Sequence, residues 1–99
     1  MEGSRVIFMT GFIYIMTNKR RTVLYTGSTD SLVRRVKQRR TGKAGSFTDR
    51  YNINTVVYIK EFDTLREARV FEKKIKGWTR TKKIKLINAS NPEWKELLP

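Results

Sequence analysis

Apolar residues run together in two short stretches of the chain, alternate with smaller or polar ones in a third, and recur at helical spacing elsewhere. Positions 12–17 (Phe-Ile-Tyr-Ile-Met-Thr) are aromatic and β-branched almost throughout, the composition of a buried strand. Asn18, Lys19, Arg20 and Arg21 follow as a polar turn. From 22 to 28, Val23, Tyr25 and Gly27 alternate with Leu24 and Thr26, which predicts a second strand. Asp30 and Ser31 are both helix-capping residues. Leu32, Val33 and Val36 then supply an apolar stripe for a helix reaching Arg40, before the glycine-bearing loop 41–45. A short turn at 46–52 is expected to bury Phe47 and Tyr51, and 55–62 reads as a third strand. Thr64-Leu65-Arg66-Glu67 matches a capping box and opens a helix through Ile75, with Gly77 at its end. A last short helix is predicted over 81–88, followed by a tail turn, Asn91-Pro92-Glu93-Trp94, docked by Trp94. The order is β-β-α-β-α-α. It predicts an α+β fold with a small three-stranded, mainly antiparallel sheet flanked by helices.

At 99 residues the whole chain, 1–99, is expected to form a single domain around one modest core, with 1–10 as a loose lead-in. The chain has no cysteine, which excludes a disulfide framework and any thiolate metal site. It has no histidine either, so the commonest general base and the commonest metal ligand are both missing. Any metal must then be held by carboxylates, carbonyls and water, as magnesium or manganese is. Lysine and arginine number 22 against 9 acidic residues, and the net charge of +13 calls for an anionic partner. Nucleic acid fits that requirement best, with a membrane surface as the alternative. The apolar run 6–16 is broken by Thr10 and Gly11, so no stretch reaches membrane-spanning length, and a cytoplasmic location is expected.

Three groupings hold candidate chemistry. A hairpin turn centred between Lys19 and Arg20 would set Tyr14 opposite Tyr25, either as a packing pair or as two acid/base hydroxyls on one face. In the helix after Thr64, Ala68, Phe71, Glu72 and Ile75 share a stripe, which leaves a carboxylate among apolar neighbours. In the preceding helix, Leu32, Arg35 and Val36 fall together. Arg35 and Glu72 therefore either form a half-buried salt bridge, or Glu72 snorkels at a rim, or the two meet, as guanidinium and metal-binding carboxylate, over the tyrosine face. Basic residues flank this region on two sides: Arg34, Arg39, Arg40 and Lys43 on or after the first helix, and Arg80, Lys82 and Lys83 near the last. They read as a phosphate track. Phe47, Tyr51 and Trp78 are better placed in the core than as base-stacking platforms.

Phe12-Ile13-Tyr14, then after ten residues Tyr25-Thr26-Gly27, then Leu32-x-x-Arg35, resembles the GIY-YIG nuclease domain. Gly45-Ser46-Phe47-Thr48, the stretch from Glu72 to Trp78, and Asn91-Pro92-Glu93-Trp94-Lys95 are similar to its small stand-alone bacterial members. The resemblance implies a phosphodiester hydrolase using one divalent ion, Mg2+ or Mn2+. By position, Glu72 would hold the metal and Arg35 would stabilise charge on the scissile phosphate. Tyr25 or Tyr14 would activate or position the attacking water, and Gly27 would allow close backbone approach. It further implies DNA cleavage at single-stranded, branched or damaged sites in repair or recombination. Two departures stand out. Where such members carry a histidine within Glu-His-Lys, this chain has Gln38-Arg39-Arg40, and Phe12 stands where the family motif has glycine. Arg39 can contact phosphate but cannot act as a base. The alternatives are a non-catalytic nucleic-acid-binding domain on the same fold, and a ribosome-associated basic protein in which Glu72 is merely paired.

Overall fold

A strand that is apolar on both faces has to be covered on both faces, and that requirement dictates the architecture. The computed structural model describes residues 10–40 and 52–98. The lead-in up to position 9, the loop 41–45, the turn with Phe47 and Tyr51, and Lys43 lie outside the described residues. The elements are β1 (Gly11–Thr17), β2 (Leu24–Thr29), α1 (Leu32–Arg40), β3 (Thr55–Phe62), α2 (Leu65–Lys76) and α3 (Arg80–Ser90). The sheet is antiparallel with order β2-β1-β3, so the first strand is central. This is the predicted α+β order and sheet. Among the described residues no helix is long and apolar enough to cross a membrane.

Strand alternation sends the two sides of β1 into separate cores. Ile13 and Ile15 pack with Val57, Ala68, Ile75 and Ile87, beneath α2 and α3. Tyr14 and Met16 pack with Val36, Ile53 and Val56, beneath α1. Helix α2 starts where expected: Thr64 Oγ1 accepts the Glu67 N–H at 3.1 Å. Helix α3 begins slightly earlier than predicted, at Arg80, because Thr79 caps it by accepting the Lys82 N–H at 3.2 Å. The cap expected of Asp30 is absent. Its carboxylate pairs instead with Arg34 at 3.4 Å, while Thr29 Oγ1 accepts the Ser31 N–H at 3.0 Å and turns the chain into α1.

The hairpin register differs from the expectation by two residues. Tyr14 faces Gly27, and Tyr25 faces Met16. Pairing stops at Thr17 and Leu24 because Asn18 organises a longer loop. Its Oδ1 accepts the N–H groups of Thr22 (2.9 Å) and Val23 (3.1 Å), its Nδ2 donates to Thr22 Oγ1 (2.7 Å), and Arg21 takes a left-handed φ of 60°. A slip of two leaves every side chain on its own face, so Tyr14 and Tyr25 remain neighbours diagonally rather than directly.

The tail docks as expected through Trp94, whose Nε1 donates to Asn88 Oδ1 at 2.6 Å. It then runs along the outer edge of β3. Buried Asn91 donates to Val57 O (3.0 Å), Glu96 Oε2 accepts the Val56 N–H (3.1 Å), and the Leu97 N–H donates to Val56 O (2.8 Å).

Helix α2 and its cap approach the sheet closely at Gly11. A Cβ there would lie 2.6 Å from both Leu65 Cα and Thr64 O, backbone atoms that cannot move alone. Gly11→Ala is expected to lower the unfolding free energy by about 1–3 kcal/mol in urea denaturation. An unchanged midpoint would show that α2 has slack at this contact.

Candidate active site

Tyr14 sits fully buried in the central strand. Its ring fills the space a side chain at position 27 would need: a Cβ on Gly27 would come within 2.6 Å of Tyr14 Cζ. Glycine at 27 is therefore required by the tyrosine opposite it. The Tyr25 ring lies 6.4 Å from the Tyr14 ring, tilted by 41°. Above them, α1 presents Leu32, Arg35, Val36 and Arg39 on one side, the i, i+3, i+4, i+7 set. Half of that stripe is arginine. The Arg39 guanidinium stands 5.0 Å over the Tyr25 ring, a cation–π contact.

Burial pushes the Tyr14 hydroxyl above its ordinary pKa of 10. The nearby Arg39 guanidinium and the more distant charge of Arg35 pull the other way, the Tyr25 phenol adds to the rise, and burial prevails. Among the described residues the phenolic oxygen closes no well-formed hydrogen bond.

Glu72 approaches from the other side of the sheet. The sequence expectation that Arg35 and Glu72 meet, in a salt bridge or over the tyrosine face, gives way here. Helices α1 and α2 cover opposite faces, since β1 directs Tyr14 toward one and Ile15 toward the other. Glu72 reaches instead the outer strand of the sheet. Ser28 Oγ donates a short hydrogen bond to Glu72 Oε1, and Lys76 Nζ lies 2.6 Å from Oε2. Ser28 directly follows Gly27, so the carboxylate and the tyrosines address adjacent residues of β2 from its two faces. Beside them is an open hollow of about 260 Å³ lined by Leu24, Tyr25, Thr26, Lys76 and Lys83. Sequence reasoning missed Ser28 and Lys76. The available signals were the i, i+4 spacing of Glu72 and Lys76, and the parity of Ser28, which places it on the α2 side.

The other predicted contacts disperse. Arg34 is exposed beside Asp30. Arg40 binds Glu96 (2.6 Å) and Asn54 O (2.8 Å), and Arg80 donates to Arg21 O (2.8 Å), so both hold the fold together. Lys82 stands 4.4 Å over Trp78, which packs on the core as expected, and Lys83 borders the hollow. Arg39, placed by sequence on the phosphate track, lies among the tyrosines.

No group of three or more acidic residues that could cage a metal occurs among the described residues. Glu72 already balances one cation, the Lys76 ammonium. A lone carboxylate of this kind could serve only a hard divalent ion that keeps most of its water and takes its other oxygens from substrate phosphate.

Residues 10–85 match the family model described as the GIY-YIG catalytic domain. The chain belongs to the GIY-YIG family. Among its GIY-YIG relatives is a "UPF0213 protein" of Oceanobacillus iheyensis, 34% identical over 82 residues that span 83% of this chain and 94% of that one. A second, from Clostridium perfringens, is 34% identical over 81% of this chain and 85% of its own length. The solution NMR structure of a "UPF0213 protein" from Bacillus halodurans superposes with a TM-score of 0.57 at 28% identity, covering 89% of this chain and 93% of that one. GIY-YIG domains form a nuclease family, so nucleic acid is the substrate class the membership implies.

The Tyr14 hydroxyl is buried with only a poorly aligned contact to Arg39, and a buried hydroxyl so served costs about 1–3 kcal/mol. Tyr14→Phe is therefore expected to leave the domain at least as stable as the wild type in urea. The pH dependence follows from the raised pKa. Above pH 10 the unfolded chain loses its phenol protons while buried Tyr14 keeps its own, so stability present below pH 10 declines as pH rises. Tyr58, raised likewise by burial, contributes a similar decline that the variant retains. Alkaline unfolding of Tyr14→Phe should thus begin at higher pH than wild type, and coincident curves would refute the burial argument.

Proposed function

We propose that this protein is a divalent-metal-dependent endonuclease that hydrolyses phosphodiester bonds in DNA, at single-stranded, branched or damaged sites, and serves repair or recombination in the cytoplasm. The observation that carries the reading is the placement of two tyrosines and two arginines on one face of an outer strand at Gly27, with one carboxylate held at the adjacent Ser28 from the other face. An outer strand can be approached by a bulky polymer, and a +13 chain draws a polyanion to it.

In this reading Tyr25, half-buried where Tyr14 is closed off, is the phenol that meets the attacking water. Tyr14 holds Tyr25 in place from beneath, over Gly27. Arg35, at the edge of the same face with no ion-pair partner among the described residues, takes the charge that develops on the scissile phosphate. Arg39, permanently protonated, holds the aromatic pair and adds positive potential where the family's other members offer a base. Glu72 would hold Mg2+ or Mn2+ through one carboxylate, aligned by the Ser28 hydroxyl. Such an ion supplies charge neutralisation at the phosphate and at the departing 3′-oxygen.

Incubating supercoiled or single-stranded DNA with the protein and magnesium or manganese tests this directly. Glu72→Ala and Arg35→Ala should each retain salt-sensitive DNA binding while cleavage falls by about 100-fold or more. Equal cleavage by Glu72→Ala and wild type would sink the assignment. Binding without cleavage by the wild type would mean a non-catalytic nucleic-acid-binding domain, the reading that the replacement of histidine by Arg39 favours.

A further inference from the structure

Glu72 is already neutralised, and by a group that is free to leave. The Lys76 ammonium sits 2.6 Å from Glu72 Oε2, yet its side chain is 55% exposed against 20% for the carboxylate. An i, i+4 pair with one exposed member is weak and exchangeable. The carboxylate is the fixed partner, since Ser28 holds its other oxygen. Lys76 also borders the hollow beside Tyr25, where Lys83 of α3 stands on the same rim. Two lysines from different helices thus line one depression, and the first of them reaches the carboxylate. One of them is engaged with that carboxylate while no divalent ion holds it.

We propose that Lys76 is the resident counter-ion of Glu72, displaced by the divalent ion and then taken up, together with Lys83, by a substrate phosphate neighbouring the scissile one. The proposal rests on the assignment of Glu72 as metal ligand. Two consequences follow from the exchange. Without a divalent ion the carboxylate stays neutralised, so the DNA-binding surface never presents a bare negative charge to phosphate. With the ion, one positive charge is released toward the DNA at the moment the metal arrives, so metal and substrate bind cooperatively.

The test uses the whole chain and two probes, Mn2+ alone and a phosphorothioate-linked duplex. In calorimetric titration without DNA, Glu72→Ala should abolish Mn2+ binding. Lys76→Met should tighten it by about two- to fivefold, the strength of the competing pair. Lys73→Met, which removes an exposed charge from the same helix next to Glu72, should leave it unchanged. In duplex binding, Lys76→Met should reduce the slope of log affinity against log salt by about 0.9 with Mn2+ present and leave it unchanged without the ion. Equal tightening by Lys73→Met and Lys76→Met would reduce the effect to the general field and overturn the exchange. So would a loss of DNA affinity in Lys76→Met that is the same with and without Mn2+. Undiminished Mn2+ binding by Glu72→Ala would overturn both this proposal and the metal-ligand assignment, whereas its loss alongside an unaltered Lys76→Met would overturn the proposal alone.

Discussion

Tyr14 occupies the centre of the central strand only because position 27 carries no side chain, and the site is arranged around that contact. The phenol is the one hydroxylated ring among the fully buried residues of β1. Its ring has to lie somewhere within a core only one helix deep, and the gap at Gly27 on the neighbouring strand is that place. With Tyr14 fixed there, Tyr25 is confined to the diagonal position above Met16, and Arg39 can reach over it from α1. A small aliphatic residue at 14 would leave the strand buried but would remove the platform on which the second ring rests.

The same economy appears in the charges. A 99-residue domain has little interior in which to hide ionised groups, and here they are set at the rims of the two cores. Arg35 and Arg39 extend from an apolar stripe toward one face of β2, and Glu72 extends from another stripe toward its opposite face. Each keeps its stem against hydrophobic neighbours and its charge near water. The sheet between them holds the positive and negative groups apart. Had the two helices shared a face, arginine and glutamate could have paired with one another; instead Glu72 pairs with Lys76 of its own helix.

Much of this was legible in the sequence, for identifiable reasons. Elements appear where local chemistry is strong: the capping box at Thr64, the aromatic and β-branched run of β1, and the stripe from Ala68 to Ile75. The register of the hairpin was not legible, because it depends on Asn18 folding back onto Thr22 and Val23, a loop geometry that turn composition does not specify. The face covered by each helix was not legible either. Periodicity shows that a helix has an apolar side, but which side of a three-stranded sheet it covers is settled by how the two cores are filled. That is why Arg35 and Glu72 looked like partners and are not. Arg39 read as part of a charged run until its i+7 relation to Leu32 placed it over an aromatic ring.

The strap formed by Asn91, Glu96 and Leu97 closes the β3 side of the sheet with hydrogen bonds that a neighbouring strand would otherwise supply. The strap reaches Val56 and Val57 only, so among the described residues β2, on the other side of the sheet, is an edge where backbone pairing can continue. A β-strand that extended the sheet at β2, whether from another protein or from a copy of this one, would lie alongside Ser28, the residue that holds Glu72. At that margin sheet growth and access to the carboxylate would draw on the same stretch of backbone.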